Sequence, residues 1–255
     1  MSGVVITASG VDASANNIGL VLPYATNCEA FGILGGTAAR SQKNYALGKT
    51  DFVLVGSPTI SDNSVQFVNA TKWLQTSVAE ADDMTFVVVC SAAKQNAYLI
   101  TNTGTTRPGN NAAYPLGLQL RAISQGGSPT NNLLGSAVGR YDGTLLGTAT
   151  GASTPSLVRV ASAGHRCATL RMTESTGVLK TNDLTAGDSS TVTNTTGVRD
   201  KCGNLRVGSS YLSGSLTDNV DILGFAIYSE ALSDENLALV YNWFKAYYAR
   251  RGITI

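Results

Sequence analysis

Short apolar runs, separated by clusters of Gly, Asn, Thr and Ser, recur along this sequence. Residues 116–124, LGLQLRAIS, illustrate the pattern, because leucines alternate there with Gln119 and Arg121. Such alternation is typical of a strand with one face in the core and the other in water. Comparable runs lie at 4–9, 17–23, 51–58, 64–68, 84–92, 97–101, 156–162, 166–172, 204–209 and 219–228. Many short strands without intervening helices predict an all-β jelly-roll sandwich of antiparallel sheets.

One long helix is predicted at the C-terminus, at about residues 233–251. Ser233 is placed to cap it, and Asp234 and Glu235 follow in the first turn, where the helix dipole favours anions. Gly252 is a natural stop. An apolar stripe at helical spacing predicts packing onto the sandwich, and it comprises Leu237, Val240, Tyr241, Phe244 and Tyr248. No repeat or linker is visible, so we interpret residues 1–255 as a single domain.

The charge balance excludes several partners. The 255 residues include 18 Lys and Arg and 17 Asp and Glu, and only 14% of the chain is charged. A net charge of +1 gives no electrostatic footprint for nucleic acid or an anionic membrane. No run is long and apolar enough to span a bilayer, and no signal peptide is recognisable. We therefore expect no nucleic-acid partner, no membrane insertion and no export.

The cysteines are too dispersed for a zinc or redox motif. Without a recognisable signal peptide, we favour buried free thiols over disulfides for all of them, because free cysteine is among the most buried residue types. They are Cys28, Cys90, Cys167 and Cys202.

The motifs of common enzymes are missing from the sequence. Glycosidases need paired carboxylates at even spacing on a strand, and no ExDxE triplet occurs. The densest acidic cluster, EADDM at residues 80–84, has the appearance of a solvated turn before a strand. His165 is the one histidine, and it lies at a turn entering a strand. No GxSxG, P-loop or dinucleotide motif is present. The sequence therefore predicts a protein that is not an enzyme.

Calcium is the cofactor for which some ligand types are available. Sandwich lectins often hold this cation with Asp, Asn and backbone oxygens on rim loops. The weak candidates are Asp142, Asp188, Asp218 and Asn219. Isolated Asp residues in turns are usually turn formers, so we expect no metal and no other cofactor.

Two loops offer the mixture of groups that carbohydrate recognition requires. Sugar faces are apolar and stack on aromatic rings, whereas sugar edges are polar and bind amides and hydroxyls. The alternative is that these residues form ordinary turns or contact a neighbouring subunit. The candidates are Arg107, Asn110, Asn111 and Tyr114 in residues 101–115, and Arg140, Tyr141 and Asp142 in residues 139–143.

Residues 205–236, LRVGSSYLSGSLTDNVDILGFAIYSEALSDEN, resemble the last strands and terminal helix of concanavalin A-like and laminin-G-like jelly rolls. The matching positions are Leu205, Val207, Gly208, Ile227, Tyr228, Ala231, Leu232, Ser233 and Asp234. The segment between them, at residues 214–222, is more polar than the family pattern. The resemblance implies a lectin-like sandwich in which Leu232 fills the turn and Ser233 starts a helix that covers one end.

Residues 35–93 resemble a segment of virion proteins from tailed bacteriophages, in which a GsPt turn and an acidic run ending in Met-Thr precede a buried strand. This resemblance implies a virion protein assembled in the host cytoplasm, with other virion proteins as partners. We expect a homo-oligomer, a trimer by preference, that attaches to a host surface polysaccharide or to neighbouring subunits. The alternatives are a capsid decoration or adaptor protein without a sugar site, and a free-standing carbohydrate-binding module.

Overall fold

The computed structural model describes residues 21–91, 96–105, 117–124, 131–143, 149–153, 156–160, 164–199, 201–214 and 216–255. The strands are β1 Cys28–Ile33, β2 Val53–Val55, β3 Thr59–Ile60, β4 Val65–Val68, β5 Trp73–Gln75, β6 Met84–Ser91, β7 Ala97–Thr101, β8 Leu118–Ser124, β9 Asn131–Tyr141, β10 Ala149–Ser153, β11 Ser156–Val160, β12 His165–Thr173, β13 Val178–Asp183, β14 Asp188–Thr193, β15 Val198–Arg199, β16 Arg206–Val207 and β17 Asn219–Tyr228. The helices are α1 Ala38–Gln42 and α2 Asp234–Ala249, with a 3-10 turn at Glu174–Thr176.

The strands form two antiparallel sheets, which confirms the predicted all-β jelly-roll sandwich. The first sheet has the order β14-β13-β12-β6-β17-β4-β3, and β1 also pairs with β17. The second sheet has the order β10-β9-β8-β7-β16-β5-β2, and β11 and β15 also pair with β9. Helix α2 covers the outer face of the first sheet, so that this part of the molecule is three layers thick.

Strand β6 explains why one predicted strand is apolar without alternation. Phe86 and Val88 face the second sheet and join the core between the sheets. Val87 and Val89 face the other way and pack beneath α2. A strand buried on both faces reads as a continuous hydrophobic run, which is the pattern of residues 84–90.

Helix α2 begins as the sequence predicts and ends slightly earlier. The Ser233 hydroxyl accepts a hydrogen bond from the backbone N–H of Asn236 at 3.1 Å, which caps the first turn. The last helical residue is Ala249, and Gly252 adopts a left-handed φ of 72°. The buried face consists of Leu237, Val240, Phe244 and Tyr248, whereas Tyr241 from the predicted stripe is half-buried. The described residues contain no helix that is long and apolar enough to cross a membrane.

A glycine in β17 sets how closely the helix approaches the sheet. A side-chain carbon at Gly224 would lie 2.6 Å from the Tyr248 hydroxyl and 3.0 Å from the carbonyl oxygen of Gly32. The Tyr248 hydroxyl instead donates to the carbonyl of the adjacent Leu223 at 2.5 Å. The missing side chain therefore permits a hydrogen bond between α2 and the sheet backbone.

The cysteines are all free thiols in the structure. Burial raises the pKa of Cys28 and of Cys90 to about 12, and it raises the pKa of Cys167 well above its usual range. Thiols with such pKa values carry little thiolate at neutral pH and are poor nucleophiles. Cys202 is half-buried, in contrast with the buried position expected for it.

Several strand predictions need correction, and the assignment of residues 1–255 to one domain stays a prediction. The predicted strand at 204–209 is reduced to Arg206–Val207. Residues 21–23 from the predicted strand at 17–23 are not in a strand, and the rest of that run and the run at 4–9 lie outside the described residues. Eight strands are not among those predicted from the sequence: β1, β3, β5, β9, β10, β13, β14 and β15.

Candidate functional site

The predicted sugar-binding residues divide into two groups. Tyr141 ends β9 and is half-buried, and Asp142 follows it in an exposed position. Their role in sugar binding stays a prediction. Arg107, Asn110, Asn111 and Tyr114 lie outside the described residues.

Arg140 is not available to a sugar, contrary to the expectation. Its side chain is only 3% exposed, and it forms a bidentate pair with the carboxylate of Glu174 at 3.0 and 3.1 Å. A buried guanidinium that is already paired with a carboxylate links segments at the end of the sandwich and is not free to bind an external ligand.

The calcium candidates do not converge on one position. Asp188 lies in β14, across the sheet from β17, in which Asn219 is the first residue. Asp218 accepts a hydrogen bond from the backbone N–H of Asn96 at 3.0 Å, and the Asn219 amide donates to Gln66 at 3.3 Å. Within the described residues, no group of three or more His, Cys, Asp or Glu side chains is placed to hold a metal ion.

The acidic segment at residues 80–84 is not simply a solvated turn. The Glu80 carboxylate is fully buried, and it accepts hydrogen bonds from Arg199 at 2.6 and 3.0 Å. The Asn102 amide donates to the other Glu80 oxygen at 2.6 Å. Only Asp82 behaves as expected, since it is exposed and pairs with Lys201. Glu80 is therefore part of a buried ionic network at one end of the sandwich.

His165 lies where the sequence placed it, at the entry to a strand. It is the first residue of β12 and pairs with Ser91 at the end of β6. Burial lowers the pKa of His165 below its usual value, and the charge of Asp221 opposes this shift. The side chain is half-buried at the edge of the sheet, as an ordinary strand-edge histidine would be.

An arginine in contact with two aromatic rings lies on the outer face of the second sheet. The guanidinium carbon of Arg206 is 4.2 Å from the ring centroid of Trp73 and 3.4 Å from that of Tyr211. Arg206 Nε donates to the side-chain oxygen of Gln75 at 3.0 Å, and Nη1 donates to the carbonyl of Ser210 at 2.9 Å. We call these four side chains, Arg206, Trp73, Tyr211 and Gln75, the Arg206 cluster.

Strand alternation places the cluster on the outer face. In β5, Leu74 points into the core, so Trp73 and Gln75 point away from it. In β16, Val207 points inward and Arg206 outward, and Arg206 is directly opposite Gln75 in the antiparallel pairing. All members of the cluster are half-buried rather than covered. Beside them, Val53 of β2 also faces outward and is 56% exposed.

Tyr211 belongs to a loop that is fixed by a buried asparagine. The Asn69 side-chain oxygen accepts from the backbone N–H of Ser210 at 2.8 Å and from the Ser209 hydroxyl at 2.9 Å. Its amide nitrogen donates to the carbonyl of Leu212 at 3.1 Å. The Tyr211 hydroxyl itself donates to the carbonyl of Asn204 at 2.8 Å. The ring is therefore held in place before any ligand arrives.

The electrostatics of the cluster favour an anionic or strongly polar ligand. Burial lowers the pKa of Arg206, and its contact with Tyr211 acts in the opposite direction, so the guanidinium stays charged at neutral pH. The Trp73 indole N–H is buried and has no hydrogen-bond partner in the part of the chain that the structure describes. Such a donor is a cost to the folded state unless a ligand or water satisfies it.

A concavity elsewhere on the molecule offers less to a ligand. It has a volume of about 400 Å³ and lies beside Glu29, Lys49, Ser77 and Ser229. Its polar groups already bind one another, because Lys49 pairs with Glu29 at 2.5 Å and the Ser229 hydroxyl donates to Glu29 at 2.9 Å. It has no aromatic residue in its lining. The Arg206 cluster is therefore the better candidate site among the described residues.

The fold and the site together define a lectin-like β sandwich with an aromatic and cationic outer face. No protein-family model and no curated protein matches this chain. Solved structures do match it, among them receptor-binding domains of botulinum neurotoxin. The binding domain of the serotype C/D mosaic is 13% identical with a TM-score of 0.57, and the match covers 86% of this chain and 52% of that chain.

Two further structures give the same result. The serotype D ligand-binding domain in complex with N-acetylneuraminic acid is 12% identical with a TM-score of 0.57, and the match covers 85% of this chain and 51% of that chain. The serotype D binding domain is 11% identical with a TM-score of 0.56, and the match covers 84% of this chain and 52% of that chain. This chain thus spans about half the length of its structural neighbours, and the likeness is one of fold.

Sequence reasoning missed the Arg206 cluster although a partial signal was present. TKWLQT at residues 71–76 alternates around Leu74, which already places Trp73 and Gln75 on one face. Leu205 and Val207 were matched to a family pattern, whereas Arg206 between them was passed over. Nothing local indicates that Gln75 and Arg206 meet, because they are 131 positions apart in the chain.

Proposed function

We propose that this chain is a lectin-like, non-catalytic binding protein that recognises glycans through the Arg206 cluster. The observation that carries the proposal is the contact of the Arg206 guanidinium with the rings of Trp73 and Tyr211 on a partly exposed region of the outer sheet face. The aromatic rings and the exposed Val53 suit the apolar face of a sugar, and the guanidinium suits its oxygens.

The biological setting that we propose is the surface of a bacteriophage particle. The support is the resemblance of residues 35–93 to phage virion segments, together with a chain that is only 14% charged. In this setting the chain acts in host attachment as a homo-oligomer, a trimer by preference, in contact with other virion proteins and without a cofactor. The neurotoxin domains add a precedent for receptor binding by this fold, since one was solved with N-acetylneuraminic acid.

The experiment is a glycan array probed with the purified chain and with Trp73→Ala. We expect binding to at least one glycan and its loss in the variant, because stacking on the ring contributes much of the affinity. Leu239→Ala is the matched control, since Leu239 is 47% exposed on α2, on the other side of the molecule. If Trp73→Ala still binds the glycan, the glycan site is not the Arg206 cluster.

The alternative functions are distinguished by location and oligomeric state. A map of an intact particle with the chain at a tail tip supports attachment, whereas a lattice position on the capsid supports a decoration or adaptor role. Light scattering of the purified chain should give a trimer. A strict monomer that binds glycans without any particle would favour a free-standing carbohydrate-binding module.

A further inference from the structure

The strands of the second sheet carry arginines and no acidic residue. Its nine described strands, from β2 to β16 in chain order, contain no Asp and no Glu. The arginines in these strands are Arg121, Arg140, Arg159, Arg199 and Arg206. The first sheet is mixed, because it contains Glu29, Asp183, Asp188 and Asp221. The two sheets therefore differ strongly in local charge although the whole chain has a net charge of only +1.

Two of these arginines are neutralised from outside the sheet. Arg140 pairs with Glu174 and Arg199 pairs with Glu80, and all of these groups lie at one end of the sandwich. Arg206 and Arg121 differ from them. In the part of the chain that the structure describes, neither forms an ion pair with a carboxylate.

Both unpaired arginines project from the same outer face. Arg121 lies between Leu120, which is buried in the core, and Ala122, and it is opposite Tyr98 in the pairing of β7 with β8. Thr101 of β7 is opposite both Arg206 and Gln119, so this outward row of side chains runs from β16 to β8, although Thr101 and Gln119 themselves are buried. The burial of Arg121 lowers its pKa, as it does for Arg206. A half-buried cation without a carboxylate is a costly arrangement that an anionic ligand relieves.

The hydrogen-bond capacity of Arg206 is only partly used. A guanidinium has five N–H donors. Nε binds Gln75 and Nη1 binds Ser210, and the Tyr211 side chain also lies within reach of the guanidinium. The hydrogen bonds to Gln75 and Ser210 use two of the five donors, so the guanidinium keeps capacity for a ligand. The guanidinium carbon lies over the rings of both Trp73 and Tyr211, so a ligand reaches the guanidinium most readily at its edge. The edge of a guanidinium matches the two oxygens of a carboxylate.

We infer that the glycan bound at the Arg206 cluster is an acidic one, whose sugar carboxylate is held by the edge of Arg206. The sugar ring then lies against Trp73 or Tyr211, and Arg121 on the same sheet face adds to the positive charge that attracts an acidic chain. This inference rests on the proposed function, and it adds the chemical class of the ligand.

The test compares acidic polysaccharides with the same polymers after their carboxylates have been converted to methyl esters. Polygalacturonate, a polysialic acid and a glucuronate-containing polymer serve as probes, each with its esterified counterpart and a sulfated polymer as a further arm. We expect at least one carboxylate form to bind roughly tenfold or more tightly than its ester, because a charge-assisted bidentate bond is lost. Affinity should also fall with added salt.

Three variants localise the effect. Arg206→Lys keeps the charge but loses the planar fork, so the preference for the carboxylate form should disappear. Gln75→Glu places a carboxylate beside Arg206 and should abolish that preference while the chain stays folded, as measured by the thermal midpoint. Arg250→Gln changes an exposed arginine on the far side and should leave binding unchanged.

The outcomes separate this inference from the proposed function. Equal binding of acid and ester, with loss in Trp73→Ala, overturns the acidic ligand and leaves glycan binding intact. A stronger response to the sulfated polymer that is insensitive to Arg206→Lys indicates general attraction to polyanions and also overturns it. If no glycan of any kind binds, both proposals fail and the decoration role is favoured.

Discussion

The outer faces of both sheets carry aromatic and arginine side chains, but these side chains have different roles on the two faces. On the first sheet, the rings of Phe31 and Phe244 stack at 5.1 Å beneath α2, and Arg40 donates to the Tyr247 hydroxyl at 2.7 Å. Phe31, Phe244 and Arg40 are all buried. On the second sheet, Arg206 and its rings are half-buried, and the two hydrogen bonds of the guanidinium to described residues use only part of its donors.

The difference shows that residue type does not reveal the role of an aromatic and arginine cluster. A covering helix turns such a cluster into core, in which its contribution is measured as stability. Without a cover, the same groups retain unused hydrogen-bond donors and apolar ring surface. The contrast predicts that substitutions on the covered face change the free energy of unfolding, whereas those on the open face change ligand binding.

The largest expected effect is that of Phe244→Ala on the covered face. Removing a fully buried ring that stacks on Phe31 should cost about 3–5 kcal/mol in the free energy of unfolding. Urea denaturation measures this cost. Leu239→Ala, on the exposed side of α2, should stay within about 0.5 kcal/mol of the wild type. Equal costs for the two variants would show that α2 is not packed as described.

The next effect is that of Asn69→Ala, beneath the open face. The variant leaves the buried Ser209 and Ser210 groups without their common acceptor, so about 1–3 kcal/mol of stability should be lost. Glycan affinity should fall as well, because the loop that carries Tyr211 loosens. The exposed Asn242→Ala on α2 is the matched control. Unchanged affinity in folded Asn69→Ala would remove Tyr211 from the site.

A smaller effect with a distinctive pH dependence is expected for Tyr248→Phe. Loss of the hydrogen bond to the Leu223 carbonyl should cost about 1 kcal/mol at neutral pH. Burial raises the pKa of Tyr248 well above 10, so its proton is held more tightly in the folded than in the unfolded state. Stability from this group is therefore complete below about pH 10 and is lost as the pH rises further.

Because the phenylalanine variant lacks this titration, the difference in stability between wild type and variant should shrink between about pH 10 and 11. Urea denaturation at several alkaline pH values measures it. A difference that stays constant with pH would mean that the Tyr248 hydroxyl is accessible to solvent, and the covered face would then be less closed than the contrast requires.

The smallest effect compares one substitution on the two faces. Val53→Thr, at a position that is 56% exposed, should change the free energy of unfolding by no more than about 0.5 kcal/mol. Val89→Thr places a hydroxyl beneath α2, where Val89 is fully buried, and should cost about 1–3 kcal/mol. Similar costs at both positions would remove the distinction between an open and a covered face.

Local patterns were sufficient where a segment makes its own structure. The strand predicted at 219–228 has those bounds in the structure, and Ser233 caps α2. Strand β9 was missed because its glycines and polar residues, NNLLGSAVGRY, weaken the alternation. Glu80 was misjudged because its partner, Arg199, is 119 positions away in the chain. A carboxylate appears solvated in sequence whenever its counter-ion comes from a distant strand.

The amino-acid order by itself determined the strand periodicity, the long apolar run of β6 and the capped terminal helix. Each depends on neighbours within a few positions, through side-chain alternation, helical spacing and the unsatisfied N–H groups of a first turn. Only the tertiary structure decided that α2 covers the outer face of the first sheet. It also decided that Trp73, Arg206 and Tyr211 meet on the outer face of the second sheet. Those contacts join segments that are far apart in the chain, and strand register, not local preference, brings them together.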